Sequence, residues 1–501
     1  MTSKSPPSAT LLTHWLNHKN FYPDALLSHP TRLTRLGQKK ALHLFHLAST
    51  QVPAYADFLK KNHLHPESIT TFSDFQNLPP TTKENYFTQY PAAALTWKGS
   101  LSATQMISTS SGSTGNAFYW PRTLEHEIDG AFPHEFIFDQ IFKTRDKSTL
   151  FINGFPLGNW IAGTFTAACL NLYAWKSGKL TVMSPGYILE TLLDTIEKMS
   201  PHFAQTIIAG HSPFLKEIID AASTRQIAWR DIHPKFMGTG QAVTESWRTY
   251  LLKKTGSQDY YRTFISLYGS ADAALMGWET PYTIFLRQTI SASGSQKAIF
   301  NDERIPSICA FDPRLTFFES LGGELCITKN SGAPLIRYNI HDEGGLTTPQ
   351  KTAAILGPDF IDQAQIAGVE TSWQFPLVYL FGRTKFMTKI YGANIYTEHV
   401  QLALDHELLQ PHITGRFILD TELGADQNPQ LICRVELNPA TSPEDQLQTL
   451  IETIFTETVS RVSSEYSYVL NQFGNKVKPH IILHPHGDEK YFPTGKLKKN
   501  A

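Results

Sequence analysis

The sequence has little cysteine: four residues, Cys169, Cys309, Cys326 and Cys433, in a chain of 501. They are scattered and form no Cys-x-x-Cys pair, which argues against a disulfide framework and against a structural zinc site. An excess of one charge is lacking too. Lys plus Arg is 44 and Asp plus Glu is 45, a formal net charge of −1. Such a chain has no global basic field to hold nucleic acid or an anionic membrane. A long apolar run is also missing. The most apolar stretch, Ile161 to Trp175, is interrupted by Thr164, Thr166 and Asn171 and is too short to span a bilayer. Met1 to Thr10 is polar and proline-bearing, without the apolar core of a secretory signal. The expectation is a cytoplasmic protein with no membrane and no nucleic-acid partner. There is no internal repeat, no low-complexity tract and no Walker loop, because no Gly-Lys-Ser/Thr follows the glycine-rich stretch.

What remains is a globular composition, 41% hydrophobic and 18% charged, with aromatics at 12%. At roughly 100–200 residues per domain, the length implies one large composite domain and at least one smaller one. Residues 1–80 read as mostly helical, with Ala41, Leu44, Phe45, Ala48 and Val52 on one face. Residues 100–345 alternate apolar runs with helical segments: Thr149-Leu-Phe-Ile-Asn-Gly, Tyr187 to Met199, Thr206-Ile-Ile-Ala-Gly, Pro213 to Ala222. That alternation predicts strand–helix units in an α/β region of parallel or mixed sheet. Residues 282–320 read as β-rich and irregular. The character changes near residue 384, where two strand-like runs, an amphipathic stretch from Pro443 to Val462 and a further strand predict a small α+β domain.

Five short segments carry chemistry. Ser108-Thr109-Ser110-Ser111-Gly112-Ser113-Thr114-Gly115 offers backbone N–H groups and short hydroxyls that can wrap phosphate oxygens, or is a flexible linker. Tyr268-Gly269-Ser270-Ala271-Asp272 ends an apolar run. Its carboxylate reaches a metal in an α/β crevice, or merely caps a turn. The run from Pro334 to Asp342 is a strand ending in charge, a ribose-binding site or a surface ion pair. Phe381-Gly382-Arg383-Thr384-Lys385 is a basic turn between two domains or an ordinary surface turn. Thr494-Gly495-Lys496 lies in a Lys-rich tail that is otherwise read as solvated. His63-Leu-His65 and His484-Pro-His486 read as surface turns rather than metal sites.

Taken in order, the five segments resemble the motifs of the adenylate-forming superfamily, which includes acyl-CoA synthetases, adenylation domains and firefly luciferase. Val52-Pro53-Ala54-Tyr55 and Leu78-Pro79-Pro80-Thr81-Thr82-Lys83 are similar to the helical N-terminal region of the phenylacetate–CoA ligase family. The resemblance covers nearly the whole chain. It implies a large N-terminal adenylate-forming domain of mixed α/β sheets, residues 1–383, and a small mobile α+β C-terminal domain, residues 384–501. It implies ATP, Mg²⁺ and coenzyme A, and an activated carboxylic acid that leaves as a thioester. Ser110, Ser111, Gly112, Ser113, Thr114 and Gly115 would grip the phosphates. Tyr268 would stack on adenine, flanked by Gly269 and Ser270, with Gly240 and Gln241 near the base. Asp272 would hold Mg²⁺, in a place where the superfamily usually has Glu. Asp342 would bind the ribose hydroxyls with support from Arg383. Lys385 would be the hinge, and Lys496 would bridge the carboxylate and the α-phosphate. The chain departs from the pattern at Asn116-Ala117-Phe118 and at Thr239-Gly240-Gln241-Ala242.

Two alternatives stay open at this point. The acyl group could pass to a carrier protein or an amine instead of coenzyme A, or the chain could be a degenerate, non-catalytic nucleotide binder. Asn153–Trp160, Ala209–Pro213 and Gly238–Gln241 are the segments expected to line the acid pocket, and family likeness points to an aromatic acid. Whether two copies pair as a homodimer is not legible.

Overall fold

The computed structural model describes all residues except 1–6, 19–20, 24–26, 28, 111–117, 241–242, 384–386, 391–392, 424–428 and 494–501. Helices Pro7–Asn17, Pro30–Gln51 and Pro53–Lys61 come first. Proline at the head of the second and third costs no hydrogen bond, since that N–H has no intrahelical acceptor. The face formed by Ala41, Leu44, Phe45, Ala48 and Val52 is buried.

A hairpin follows, β1 (Met106–Ser110) antiparallel to β2 (Phe118–Arg122). Then come β3 (Thr149–Asn153), β4 (Leu180–Met183), β5 (Gln205–His211), β6 (Pro234–Thr239) and β7 (Phe264–Ser270). These lie parallel, side by side in the order β4, β3, β5, β6, β7. Helices Ile161–Ser177, Leu189–Met199, Ser212–Thr224 and Glu245–Thr255 make the crossovers between them. The run Gln205-Thr-Ile-Ile-Ala-Gly is buried without alternation, as a strand covered on both faces must be.

Beyond β7 the pairing turns antiparallel. β8 (Ala274–Trp278), β9 (Ser307–Ala310), β10 (Phe317–Leu321), β11 (Glu324–Lys329), β12 (Leu335–Thr347) and β13 (Leu377–Arg383) extend the same sheet in the order β7, β8, β9, β13, β12, β11, β10. So β7 is the switch strand, with parallel β6 on one side and antiparallel β8 on the other.

The reading of 282–320 as β-rich and irregular is corrected in its first part. Pro281–Ser293 is a helix. A reciprocal Thr280–Thr283 capping box starts it, Pro281 occupies its first turn, and Gly294 ends it in the left-handed region at φ 68°. The capping chemistry at both ends decides for helix.

Residues after β13 gather around a core of their own. β14 (Met387–Ile390) pairs with β15 (Ala393–Tyr396), and β16 (Ile413–Leu423), β17 (Pro429–Leu437) and β18 (Pro479–His484) form a three-stranded sheet. Helix Asp445–Val462 packs Ile451, Phe455 and Val459 against Leu431, Val435 and Ile481 in a cluster separate from those of the large sheet. Phe455→Ala should therefore cost about 3–5 kcal/mol locally. Hydrogen exchange should show faster opening in β16 to β18 and unchanged protection in β3, β5 and β6.

Candidate functional site

The carboxyl ends of β3, β5, β6 and β7 open onto one crevice, the place where open α/β sheets bind ligands. Asn153 ends β3 and gives Nδ2 to the Gly163 carbonyl at 2.9 Å. His211 ends β5, its Nδ1 lying 3.1 Å from the Thr239 carbonyl. Gly240 follows β6 at φ 92°, and a Cβ there would come within 2.7 Å of His211 Nδ1, so both backbone and space require glycine.

β7 supplies Tyr268, and the tight turn after it supplies Asp272, 6% exposed. Two reciprocal pairs tie this turn to β12. The Tyr268 hydroxyl donates to Asp342 Oδ2 at 2.6 Å, and the Tyr338 hydroxyl donates to Asp272 Oδ2 at 2.5 Å. Tyr268 and Asp272 stand four residues apart on one side, Tyr338 and Asp342 four apart on the other. Hydrogen bonds to a carboxylate of this kind are among the strong ones. One face of the Tyr268 ring lies near Phe318, with centroids 6.0 Å apart.

The turn that carries Asp272 is strained and braced. Ala274 sits at φ 56°, a conformation that costs a residue with a Cβ roughly 1–2 kcal/mol. Ser270 Oγ accepts from the Ala273 N–H at 3.2 Å, and the buried Lys329 ammonium donates to the Leu275 carbonyl. Burial pulls Lys329 down to about 8 against the carboxylates of Asp129 and Glu127. His126, also buried, is held neutral by burial and by Lys329 and Arg122.

A residue that sequence reasoning left without a role completes the site. Thr81 bridges to Tyr338 in β12: its N–H donates to the Arg337 carbonyl at 3.1 Å and its own carbonyl accepts from Asn339 at 2.8 Å. This docks Leu78-Pro-Pro-Thr-Thr-Lys83 along the strand and brings Lys83 Nζ to 3.3 Å from Asp272 Oδ1, above the Trp120 ring. The only sequence signal was the likeness of that segment to a family motif.

Asp342 stands directly opposite Arg383 in the β12–β13 ladder, which places the two backbones side by side. Next to them, Arg304 binds Glu343 and Asp302 and stacks between Phe381 and Tyr396, with the guanidinium 4.2 and 4.1 Å from the ring centroids. Ser110 closes β1 opposite Phe118, and Thr109 beside it bridges to Trp160. The structure thus brings together Gly240, Tyr268, Gly269, Ser270, Asp272, Asp342 and Arg383. Ser111, Gly112, Ser113, Thr114, Gly115, Gln241, Lys385 and Lys496 lie outside the described residues.

Among the described residues there is no group of three or more His, Cys, Asp or Glu able to hold a metal. His484 and His486 instead face Asp488 and Glu217. Mg²⁺ at a nucleotide site needs only one or two carboxylates, the remaining ligands being phosphate and water. Asp272 meets that requirement, in exchange with Lys83 for Oδ1.

No family model matches the chain, and no curated protein matches it in sequence. Solved structures do match in fold. The 2-hydroxyisobutyryl-CoA ligase in its postadenylation state, in complex with R3-HIB-AMP, superposes with a TM-score of 0.67 at 12% identity, over 97% of this chain and 94% of that one. The same ligase with 2-HIB-AMP and CoA in the thioesterification state gives 0.54 at 13% identity, over 97% and 94%. Its open conformation with the same two ligands gives 0.55 at 12%, over 94% of each chain. The chain has the fold of the adenylate-forming CoA ligases.

Tyr268→Phe removes the phenol donor from Asp342 and should cost about 1.5–3 kcal/mol in chemical denaturation. Tyr119→Phe, an exposed site, should cost nothing measurable. A Tyr268→Phe effect below about 0.5 kcal/mol would show that the pair contributes no net stability.

Proposed function

We propose that this chain activates a carboxylic acid with ATP as an acyl-adenylate and transfers the acyl group to the thiol of coenzyme A. The observation that carries the reading is the reciprocal Tyr268–Asp342 and Tyr338–Asp272 pairing at the switch strand, in a fold shared with CoA ligases. A carboxylate is a poor electrophile until its oxygen becomes part of a leaving group, and AMP is a good one. Attack on the α-phosphate concentrates negative charge on phosphoryl oxygens, so the site must present positive charge there.

Within this reading, Asp342 accepts the ribose hydroxyls, with Arg383 in support. Ser110, Ser111, Gly112, Ser113, Thr114 and Gly115 hold the phosphates. Gly240, Gln241, Gly269 and Ser270 flank the base, and the Tyr268 ring stacks on it. Mg²⁺, when bound at Asp272, supplies charge compensation for the phosphates. Lys83 is an ammonium already at that carboxylate. An aromatic acid suits the crevice because aromatic rings cluster around the end of β5: Phe155 lies 5.5 Å from His211, and Tyr187 stacks on Phe214 at 4.0 Å. No described helix is long and apolar enough to cross a membrane.

The two half-reactions need different groups near the α-phosphate. We take residues 384–501 as a domain that turns about Lys385, bringing Lys496 in for adenylation and out for transfer. Lys496→Ala should slow adenylate formation by ~10²-fold or more, as loss of one strong electrostatic donor does. Given pre-made acyl-adenylate, the same variant should transfer to coenzyme A at a near-normal rate. Lys385→Pro fixes φ at the hinge and should do the reverse. Equal impairment of both steps in both variants would rule out the rotation. Asp272→Ala should abolish most pyrophosphate release while Asp272→Glu retains much of it. Near-normal release from Asp272→Ala at saturating Mg²⁺ would remove the metal role.

A further inference from the structure

Lys216 lies on helix Ser212–Thr224 of the large body and is 5% exposed. All three protons of its ammonium are spent. One goes to Asp220 Oδ2 on its own helix at 2.8 Å. The other two cross to the small body, to the carbonyls of Gln410 at 2.8 Å and Ile413 at 3.0 Å. Beside this contact Thr244 of the large body donates to Asp405 of the small one, and His486 Nε2 reaches Glu217 at 3.4 Å. The seam between the two bodies is therefore polar and buried.

Its arrangement suits a contact that is made and broken. A buried charge stripped of its partner costs several kcal/mol, so a permanent interface does not have to provide for separation but a reversible one does. Here Lys216, Asp405 and Thr244 each keep a partner on their own side. Lys216 retains Asp220. Asp405 retains Gln401, which donates to Oδ1 at 2.8 Å. Thr244 retains its capping bond from the Trp247 N–H at 3.1 Å. Separation at these three leaves no buried charge without a partner.

The seam also leads to the tail. Ile413 begins β16, and three residues on, Arg416 is locked by the fully buried Glu436 at 3.0 and 3.2 Å. The same guanidinium donates to the carbonyls of Phe492 at 3.3 Å and Pro493 at 3.2 Å, and faces the Phe492 ring at 5.4 Å. In the sequence, Lys496 is three residues past Pro493.

We propose that Lys216 and Arg416 are positioning residues for the adenylation step. Lys216 docks the first residues of β16 on the large body, and Arg416 on that strand holds the chain from which Lys496 extends. This rests on the reading that Lys496 serves adenylation. The seam belongs to the adenylating arrangement and is vacated for acyl transfer.

The test separates docking from chemistry. In Lys216→Met, whose aliphatic stem is kept while Lys254 stays near Asp220, adenylate formation should fall about tenfold or more, the scale of a typical coupling between sites. Transfer from pre-made acyl-adenylate to coenzyme A should stay within about twofold. Arg416→Gln should show the same split, with partial recovery in Arg416→Lys. Thr244→Val, which removes one seam contact together with the cap of its own helix, should show a smaller version of it and covers the case in which Lys216→Met does not fold. Hydrogen exchange without substrates gives a second readout: in Lys216→Met the amides of 412–416 should exchange faster, while those of Leu431 to Val435 stay protected. Equal loss of both steps, no loss of either, or exchange that spreads through β17 would overturn the proposal. Should the wild-type protein form no adenylate with any acid, the functional reading fails, and the exchange result alone then decides whether Lys216 holds the seam.

Discussion

Two carboxylates taken almost out of water, each held by a phenol from the other's strand, are the constraint on which the rest of the site depends. Asp272 and Asp342 could not stay buried without hydrogen-bond donors, and phenol donors come crosswise from Tyr338 and Tyr268, with Lys83 also at Asp272. The pairing fixes β7 against β12 although β8, β9 and β13 lie between them in the sheet. The strained Ala274, the Ser270 cap and the buried Lys329 all serve to keep Asp272 where Tyr338 can reach it. Strain of that kind persists only where its surroundings over-determine it.

The sheet explains why these groups meet at one edge. Parallel strands point their carboxyl ends into a common crevice, and at β7 the direction changes, so the turn after it projects past its neighbours. The antiparallel half then folds β12 and β13 back, bringing Asp342 and Arg383 side by side. The N-terminal helices are more than cover. Their aromatic residues, Phe45, Tyr55 and Phe58, pack in one cluster with Tyr86, Phe87, Trp120, Tyr268 and Tyr338, so the segment bearing Lys83 is anchored in the core beneath the site. The small body meets the large one at Lys216, Asp405 and Thr244, which each keep a partner on their own side.

Much of this was legible in the sequence, for identifiable reasons. The uninterrupted run at Thr206-Ile-Ile-Ala-Gly gave a central parallel strand, because a strand buried on both faces cannot alternate. Tyr268, Asp272 and Asp342 stood out as polar residues ending apolar runs. Their crosswise partnership did not, since no local pattern reports which of two distant strands a hydroxyl will face. Lys83 was visible only as part of a family-like segment, because its partner Asp272 is brought near by tertiary folding alone. The helix Pro281–Ser293 was missed although a capping box and a closing glycine were both there to read. Lys216 and Arg416 left no mark at all, because their acceptors are largely backbone carbonyls, which every residue carries.

The central claim is that the chain joins a carboxylic acid to AMP. Acid-dependent exchange of labelled pyrophosphate into ATP by the purified protein, across aryl, fatty and amino acids, measures that step without any acceptor. The account predicts exchange with at least one acid, foremost an aromatic one, and none when acid is omitted. A protein that binds ATP yet catalyses no exchange with any acid of the three classes would contradict it.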